Sequence, residues 1–368
     1  MKSDSRYDQV RRPIPSNKAV LVSLVTYNDE SFLARCLEAV RSQTIPVRVK
    51  IFDNASQDGT RDIAQSFGVV FHESTENLGY SFGHNHNLLD EDFDTVLLLN
   101  ADVVLQANYL EILLSALDEV EKAGMAGGKL YRMDSKGRQI LRRTFPVLDS
   151  TGMFFTPSQR HFDRGSEEED HGQYDLRQFV FGITGATLLC KKEMLEDLRL
   201  GDEYLDEDFF AYREDADLAW RAQMRGWKAI YEPGAEALHC RRVFPRGRRG
   251  LPGLINFHSL KNRYLMRMKN LDSAVRRRCF PYMWIRDAGI LVYVLFFEWN
   301  SLPAYREVWR LRDKFQKKRE HVQSTRSVSS DAIADWFSFT PRALEAPRRV
   351  SNAGKREKKK DREENVDH

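Results

Sequence analysis

The sequence predicts an α/β protein with a mostly parallel sheet and a helical C-terminal part. Apolar, β-branched runs alternate with segments of helical periodicity over residues 18–122, as expected for buried strands joined by crossover helices. Polar residues follow each apolar run, and in such sheets ligands bind at the carboxyl ends of the strands. Over residues 246–325 the periodicity is helical, and basic residues outnumber acidic ones.

Four strands are predicted in the first half of the chain, because each is a short run of apolar and β-branched residues. They cover residues 19–27, 47–53, 68–73 and 95–100. The segments between and after them repeat apolar residues every three or four positions, which is typical of helices that bury one face. These predicted helices cover residues 31–42, 60–67, 82–89 and 108–122, and the last one stops before Gly124.

The pattern is looser after residue 125. Strands are predicted near 126–133, 179–190 and 227–233, and helices near 215–226, 254–268 and 304–320. In the helix at 215–226, Leu218, Ala222 and Met224 are predicted to point inward and Arg221 and Arg225 outward. We therefore predict a polar leader at 1–17, an α/β domain at 18–245, a basic amphipathic helical region at 246–325 and a largely disordered charged tail at 326–368.

The sequence indicates a cytoplasmic protein. The first 18 residues contain no apolar core of a secretory signal, and the four cysteines have neither metal-ligand nor redox spacing. The apolar run at 288–297 is bounded by Asp287 and Glu298, and it is shorter than the roughly 20 residues that a bilayer requires. No transmembrane helix is therefore predicted.

Charge is concentrated in two neighbouring segments. Residues 201–220 contain eight acids and one basic residue, whereas residues 241–280 contain twelve basic residues and one acid. An acidic cluster followed by a basic one predicts a cation site beside a surface for an anionic partner. The basic stretch has no nucleic-acid-binding motif and no regular aromatic interleaving, so no nucleic-acid partner is predicted.

Several strand-ending residues suit a nucleotide and a cation. Asp102 follows a buried strand and can ligate a divalent cation that bridges a diphosphate, although Asn100 and Asp102 are also typical of simple turns. Asp53 can accept hydrogen bonds from a base or ribose. Gly79 permits close approach of the backbone to a ligand, but its surroundings have neither P-loop nor dinucleotide-binding spacing.

The segment at 204–227 is the most informative for catalysis. Glu214, Asp215 and Asp217 crowd the first turn of a predicted helix, where a carboxylate stays ionised and can act as a general base. Nearby aromatic residues, Trp220 among them, suit stacking on a sugar. Acids at a helix N-terminus also stabilise the helix without any catalytic role, so that alternative stays open. His239 is a candidate cation ligand or a structural histidine.

Taken together and in order, these segments resemble the family-2 glycosyltransferases of GT-A fold, in particular their rhamnosyltransferase-like branch. The resemblance runs from about Ala19 to Arg242 and rests on seven motifs. These are VSLVTYN, FDNASQDGT, ENLGYSFGHNHN, LLLNADV, FGITGATLLCKKEML, EYLDEDFFAYREDADLAWRAQMRGWK and YEPGAEALHCRR. The later HSLKNRYLMRMKN is also similar to that family. The implied fold is GT-A, with a Rossmann-like nucleotide-binding half, an acceptor half, a mixed but mostly parallel central sheet and a C-terminal helical appendage.

The resemblance also implies roles for individual residues. The nucleotide site would be lined by Thr26, Asn28, Asp53, Asn77, Gly79, Asn85 and Asn100. The metal site would use Asp102 and His239, the catalytic base would be Asp215, and the acceptor or sugar side would include Gly185, Ala186, Glu214 and Trp220. Asn100 stands where the family's Asp-x-Asp has its first acid, so the metal would depend on Asp102, the diphosphate and His239.

The implied activity is an inverting, Mg²⁺- or Mn²⁺-dependent transfer of a sugar in cell-surface polysaccharide synthesis. The expected donor is dTDP-rhamnose, with a UDP-hexose as the alternative, and the expected acceptor is a glycan or lipid-linked hydroxyl. A non-catalytic nucleotide-sugar or glycan-binding module of the same fold is a further alternative. The basic helices are expected to contact an anionic membrane surface on its inner face or a lipid-diphosphate acceptor, or instead the catalytic domain or a second subunit of a homodimer.

Overall fold

The computed structural model describes residues 20–241 and 253–347. The strands within these residues are β1 Val20–Thr26, β2 Val47–Asp53, β3 Val70–Glu73, β4 Thr95–Leu99, β5 Val103–Leu105, β6 Ala123–Arg132, β7 Leu141–Arg142, β8 Phe145–Pro146, β9 Leu148–Ser150, β10 Met153–Phe155, β11 His161–Asp163, β12 Gln178–Val180, β13 Thr187–Lys191, β14 Lys228–His239 and β15 Leu344–Glu345. The helices are α1 Glu30–Arg41, α2 Thr60–Ser66, α3 Tyr80–Leu88, α4 Tyr109–Glu119, α5 Lys192–Asp197, α6 Glu214–Arg225, α7 Gly253–Asn270, α8 Ser273–Phe297, α9 Pro303–Arg310, α10 Arg312–Ser324 and α11 Ser330–Ala334.

One large sheet organises the molecule, in the order β15-β12-β14-β6-β13-β4-β1-β2-β3. Strands β4, β1, β2 and β3 run parallel, as predicted from the alternation of strands with helices. Strand β13 is antiparallel to β4 and pairs Thr187 with Leu99, so the residues just before β13 lie beside the carboxyl end of β4. The ends of β1, β2 and β4 and the start of β13 therefore share one edge of the sheet.

The strand predicted at 179–190 is two strands instead. Strand β12 pairs with β14 and β15, whereas β13 pairs with β4 and β6, so residues 181–186 carry the chain across the sheet. Small residues permit this crossing: a Cβ on Gly182 would lie 2.4 Å from the Cβ of Ala219. Continuous hydrophobicity could not reveal the break, because both pieces are buried.

The apolar stretch at 288–297 is the C-terminal part of the 25-residue helix α8, so the predicted length was wrong. By length and composition α8 is able to cross a membrane, and 11% of its most apolar window is buried against the protein. Asp287, which appeared to end the apolar run, lies inside the helix. Its carboxylate pairs with Arg263 and Arg267 of α7 at 3.0 and 2.7 Å.

The tail predicted to be disordered from residue 326 is ordered as far as residue 347. Helix α11 packs against α8, and β15 extends the sheet by pairing Leu344 with Phe179 of β12. The predicted leader at 1–17, the domain boundary at 245 and the remaining tail at 348–368 lie outside the described residues.

A buried cluster of charges joins the C-terminal helices to the α/β domain. Lys269 of α7 donates to Asp206 and Asp217, and all three side chains are inaccessible to solvent. Lys318 of α10 also pairs with Asp206, at 2.6 Å. Arg221 of α6, predicted to point outward, is 2% exposed and pairs with Asp217 at 2.9 Å. Its burial follows from this pairing with charged partners, which an apolar pattern does not predict.

We predict that Lys269→Met lowers the free energy of unfolding by about 3–5 kcal/mol, because removing one partner of a buried ion pair leaves carboxylates buried without compensation. Urea unfolding of the variant and wild type measures the difference. Lys317→Met is the control, since Lys317 lies on the exposed side of α10. A loss below about 1 kcal/mol, as is typical of surface pairs, would contradict the prediction.

Candidate active site

Asp53 ends β2 and is only 1% exposed. Its carboxylate accepts hydrogen bonds from the Thr26 hydroxyl at 2.6 Å, the Ser56 hydroxyl at 2.6 Å and the Ser56 amide at 2.8 Å. Thr26 is fully buried behind it. Thr26 and Asp53, both predicted to line the nucleotide site, thus fix the turn that follows β2. These three hydrogen bonds leave the Asp53 carboxylate little capacity to accept others.

Asn28 lies at the exposed end of β1, with a positive φ of 55°. Its side-chain oxygen accepts from the Gln57 amide at 2.8 Å, which joins the turns after β1 and β2. Tyr27 beside it is 50% exposed. Tyr27 is not among the residues predicted to line the nucleotide site, although an aromatic residue directly after a buried strand is a usable signal. Tyr27 offers an open aromatic face at the edge where the parallel strands end.

The segment before α3 contacts the protein's own backbone. Asn77 is exposed, and its side chain accepts from the Gly79 amide at 3.0 Å. A Cβ on Gly79, which has a φ of +93°, would lie 2.5 Å from the carbonyl oxygen of Phe210. Glycine is therefore required here because the backbone of a neighbouring loop comes close to it. The group that approaches Gly79 in the structure is this loop, whereas the prediction was a ligand.

Asn85 of α3 also supports a loop. Its side-chain oxygen accepts from the backbone amide of Leu205 at 2.9 Å. Its side-chain nitrogen donates to the Leu205 carbonyl at 2.8 Å and to the Glu207 carboxylate at 2.9 Å. The residue is 8% exposed. The side-chain amide of Asn85 therefore holds the segment that leads towards α6, and its role at the nucleotide stays a prediction.

Asp102 and His239 meet at the carboxyl end of β4. His239 ends β14, and its Nε2 lies 3.4 Å from Oδ1 of Asp102. Its Nδ1 lies 2.7 Å from Oδ2 of the fully buried Asp149. Burial opposes the charged imidazole, but Asp149 and Asp102 together raise the pKa of His239 to about 9. The structure thus brings the two predicted metal residues together and adds Asp149 as the group that orients the histidine.

Asp149 also anchors Arg241, whose Nε lies 2.7 Å from Oδ1 of that carboxylate. Arg241 reaches Asp163 of β11 with its Nη2 at 2.5 Å. Burial opposes ionisation of Asp149, but His239 and Arg241 hold its pKa well below the usual range. Asp149 and Asp163 belong to the 134–178 insertion, which had no signature in the sequence.

Gly185 and Ala186 connect the two halves of the site. The Asn100 amide donates to the Ala186 carbonyl at 3.0 Å. The neighbouring Gly185 amide donates to Oδ2 of Asp215 at 2.9 Å, and the Ala216 amide donates to Oδ1 at 2.7 Å. Residues 185 and 186 therefore lie between two parts of the site. The segment that carries Asp102 is on one side of them, and the first turn of α6 is on the other.

The acids at the start of α6 ionise less readily than expected. Burial raises the pKa of Asp215, and nearby Asp163 adds to this, although the Gly185 amide acts in the opposite direction. Glu214 is 8% exposed, and burial together with Asp215 raises its pKa well above the usual value. That Asp215 is ionised stays a prediction, and burial acts against the favourable effect that a helix N-terminus has on a carboxylate.

Trp220 does not face the site. Its side chain is fully buried and packs against Phe155, Phe181 and Phe337, with ring centroids 5.0–6.4 Å apart. The prediction that it stacks on a sugar is wrong, because the helical repeat of α6 turns it into the core. Tyr80 is an aromatic residue closer to Asp215. Its hydroxyl donates to the carbonyl of Gly185 at 2.8 Å, and the backbone amide of Gly185 donates to Asp215.

The donor set at Asp102 and His239 fits a divalent cation that has only part of its coordination from the protein. Within the ranges 20–241 and 253–347, no group of three or more His, Cys, Asp or Glu side chains is arranged to hold a metal ion. The carboxylate of Asp102 can serve Mg²⁺ or Mn²⁺ when substrate phosphates and water supply the other ligands, and the oriented imidazole of His239 can join it once its Nε2 proton is released.

Comparisons with known proteins show which family the sequence matches. Residues 16–256 match the family described as "Glycosyltransferase like family 2". A Mycobacterium tuberculosis protein, "N-acetylglucosaminyl-diphospho-decaprenol L-rhamnosyltransferase", is 30% identical over 235 residues, which cover 59% of this chain and 75% of the relative. The "Glycosyltransferase GlyA" of Streptococcus pneumoniae is 23% identical over 201 residues, covering 51% of this chain and 27% of that protein.

Two solved structures share the fold. GalNAc-T7 with UDP, GalNAc and Mn²⁺ superposes with a TM-score of 0.51 at 13% identity, covering 68% of this chain and 48% of that one. S. aureus TarS 1-349 in complex with UDP superposes with a TM-score of 0.50 at 13% identity, covering 87% and 89%. At these identities the likeness concerns the fold alone.

Proposed function

We propose that this chain, which belongs to glycosyltransferase family 2 and has the GT-A fold, transfers rhamnose from dTDP-rhamnose to a lipid-linked glycan with inversion of configuration. It is a glycosyltransferase, and the proposal concerns its donor, acceptor and site residues. One observation supports it most: residues 185 and 186 hydrogen-bond to Asp215 on one side and to the backbone of Asn100 on the other, two residues before the Asp102 that contacts His239.

The donor assignment rests on the relative that is named an L-rhamnosyltransferase. A UDP-hexose is the alternative donor. With either donor, the nucleobase lies against the exposed ring of Tyr27. Asn28, Asn77 and Asn100 border the nucleotide. Thr26 and Asp53 act mainly by fixing the turn beneath it.

Asp102 and His239 would hold the divalent cation, with the donor diphosphate completing its coordination. When bound, the cation offsets negative charge on the departing nucleotide diphosphate. Asp149 keeps the His239 ring oriented through Nδ1, so that Nε2 faces Asp102. Asn100 supplies an amide in place of a second carboxylate at this edge.

Asp215 is the general base. Its carboxylate takes the proton of the acceptor hydroxyl while that oxygen bonds to the anomeric carbon, on the face opposite the departing diphosphate. The bond between the anomeric carbon and the diphosphate oxygen breaks in the same step, which inverts the configuration. The Gly185 and Ala216 amides fix the orientation of the carboxylate, and the raised pKa of Asp215 increases its basicity.

A donor screen tests the proposal. The full chain is incubated with dTDP-rhamnose, UDP-glucose, UDP-N-acetylglucosamine and UDP-galactose, each with Mg²⁺, Mn²⁺ or EDTA, and release of the nucleotide diphosphate is measured. We expect turnover with dTDP-rhamnose that requires the cation. Turnover only with a UDP-sugar would replace the donor, and tight nucleotide-sugar binding without turnover would contradict the catalytic assignment.

The pH dependence of transfer should reflect the environment of Asp215. A base must be ionised, so activity is lost as pH falls through its pKa, and the raised pKa of Asp215 moves this loss above the ordinary aspartate value of 3.8. Asp163→Asn removes a negative charge near Asp215, which lowers that pKa and shifts the acid limb of kcat to lower pH. Asp202→Asn, at a fully exposed side chain, is the control. An unmoved limb in Asp163→Asn would contradict the prediction.

The acceptor side includes an exposed apolar face on α8. Its solvent-exposed large apolar residues are Phe280, Tyr282, Trp284, Ile285, Leu291, Val292, Leu295, Phe296 and Phe297. Arg276 and Arg277 are exposed at the N-terminal end of the same helix. We propose that this face lies in the headgroup region of an anionic membrane, on the cytoplasmic side, where a lipid-linked acceptor is held.

Contacts of α8 with the protein favour lying in the interface over crossing the bilayer. Cys279, Met283 and Val294 are buried against neighbouring helices, and Asp287 is paired with two arginines of α7. A spanning orientation would break those ion pairs and leave a carboxylate in hydrocarbon, which is costly. The helix is therefore expected to present one face to lipid while the other stays on the protein.

Flotation with vesicles tests this surface. We expect binding to phosphatidylglycerol-containing vesicles that falls at least about tenfold in the double variant Trp284→Glu, Ile285→Glu, because two charges at the apolar face oppose burial in lipid. Leu176→Glu, at a residue 68% exposed elsewhere, is the control. Absence of vesicle binding at low salt would contradict the proposal. A dimer that the double variant converts to monomers would assign the face to a second copy of the chain.

A further inference from the structure

The loop that precedes the catalytic acids has an unfavourable backbone. Phe210, Tyr212 and Arg213 have φ values of 65°, 71° and 77°, which non-glycine residues rarely adopt. A side chain with a Cβ is strained in this left-handed conformation. Glu214 and Asp215 follow directly, so the direction in which α6 starts depends on this loop. Contacts elsewhere in the molecule must keep it in place.

Asn262, on α7, makes the most concentrated of these contacts. Its side chain is fully buried, and Nδ2 lies 2.8 Å from the carbonyl oxygens of Phe209, Ala211 and Tyr212. An amide NH₂ has two hydrogens, so three acceptors share them. A single side chain from the C-terminal helical region thereby satisfies three carbonyls of a loop that has no regular secondary structure over residues 210–213.

Further contacts of α7 surround Asn262. One helical turn earlier, the ring of His258 stacks on Phe210 with centroids 4.5 Å apart and planes 15° apart. The Ser259 carbonyl accepts from Nε of Arg213 at 3.2 Å. Lys261 donates to the Asp208 carbonyl at 2.5 Å. Helix α7 therefore follows the loop from residue 208 to residue 213.

The opposite side of the same loop holds the start of α3. The Phe210 carbonyl accepts from the Tyr80 amide at 2.6 Å and from the Ser81 amide at 3.2 Å. These amides belong to the first turn of α3, where backbone N–H groups have no partner within the helix. One loop thus bridges α3, which borders the donor side, and α6, which carries the base.

We infer that Asn262 is a positioning residue, which holds loop 208–213 in its strained conformation and thereby fixes Asp215 relative to α3. It acts through the loop and contacts no reacting atom. The part of this inference that concerns the rate of transfer rests on the proposed function, whereas the part that concerns the loop does not. The C-terminal helical region is accordingly a working part of the active site.

Two substitutions in the full chain test the inference. Asn262→Leu keeps a similar volume but removes both donors, and Asn262→Ser is a milder change that keeps one hydroxyl donor. Met266→Ala is the matched control, because Met266 is fully buried in the apolar core on the same helix and its truncation lowers stability without removing a donor to the loop. Urea unfolding first establishes that each variant is folded.

Hydrogen exchange reports on the loop independently of catalysis. We expect amides in peptides covering residues 79–82 and 206–214 to exchange at least about tenfold faster in Asn262→Leu, with a smaller increase in Asn262→Ser. In Met266→Ala these peptides should change no more than the rest of the protein. Protection in both Asn262 variants equal to that of wild type would overturn the inference.

Kinetics supply the second readout. Misplacement of a catalytic group by about 1 Å costs on the order of 100-fold in rate, so kcat of Asn262→Leu should fall by about that factor while the KM for donor stays within about threefold. A kcat within threefold of wild type, despite a loosened loop, would overturn the positioning role. If wild type transfers no sugar, the proposed function fails, and the exchange experiment still decides whether Asn262 holds the loop.

Discussion

Asp215→Asn should reduce kcat for sugar transfer about 1000-fold, within the range that general-base catalysis contributes. An amide cannot take the proton of the acceptor hydroxyl, yet it keeps the size of the side chain. Its oxygen can still accept the Gly185 amide, which donates to Asp215 at 2.9 Å. Binding of the donor should therefore be little changed. The measurements are kcat at saturating donor and the Kd of the nucleotide diphosphate.

A matched control separates this effect from loss of charge at a helix N-terminus. Glu193 is an exposed acid in the first turn of α5, so Glu193→Gln makes the same chemical change without touching the site. That variant should transfer sugar at the wild-type rate. Asp215→Asn retaining more than about a tenth of wild-type kcat would remove Asp215 as the base.

Asp102→Asn should lower kcat about 100-fold or more and weaken the dependence of activity on Mn²⁺. The substitution removes the carboxylate that would ligate the cation beside the diphosphate. The imidazole of His239, 3.4 Å away, also loses its charged neighbour at this edge. Titration of activity with Mn²⁺, together with electron paramagnetic resonance of Mn²⁺ binding in the presence of the nucleotide diphosphate, measures both effects.

Asp94→Asn is the control, because Asp94 is an exposed acid just before the other end of β4. It should leave both kcat and Mn²⁺ binding unchanged. Unaltered Mn²⁺ titration in Asp102→Asn would place the cation elsewhere. Wild-type activity in EDTA would mean that transfer proceeds without it.

The nucleotide-binding half of the fold could be predicted because β1 and β4 are buried on both faces. Their runs therefore contain almost no polar residue until they end, and both strand direction and the site edge follow from the alternation of strands with helices. Asp102 could be predicted as a site residue for the same reason, because it follows the carboxyl end of β4. The role of His239 needed the family resemblance, because a single histidine after a strand has many explanations.

Other features depend on contacts that are distant in the sequence. Asp149 and Asp163 reach the site through short strands of an insertion whose pairing leaves no periodic pattern. Trp220 looked suitable for a sugar because aromatic residues lie near it in the sequence, but its ring packs in the core against Phe155, Phe181 and Phe337, which are distant in the sequence. The burial of Asn262 follows from the loop it supports, and nothing local to its helix indicates that loop.

Buried ion pairs limit where the chain can be truncated. They join Lys269 and Lys318 of the C-terminal helices to the carboxylates of Asp206 and Asp217. A shortened version that stops before Gly253 would lose both lysines, so the buried carboxylate of Asp206 would lose its two partners in this cluster and Asp217 would keep Arg221. Such a fragment would contain every predicted ligand of the donor, yet we expect it to be less stable than the full chain. Exchange of C-terminal segments between relatives would likewise require the lysines and the aspartates to be transplanted as one set.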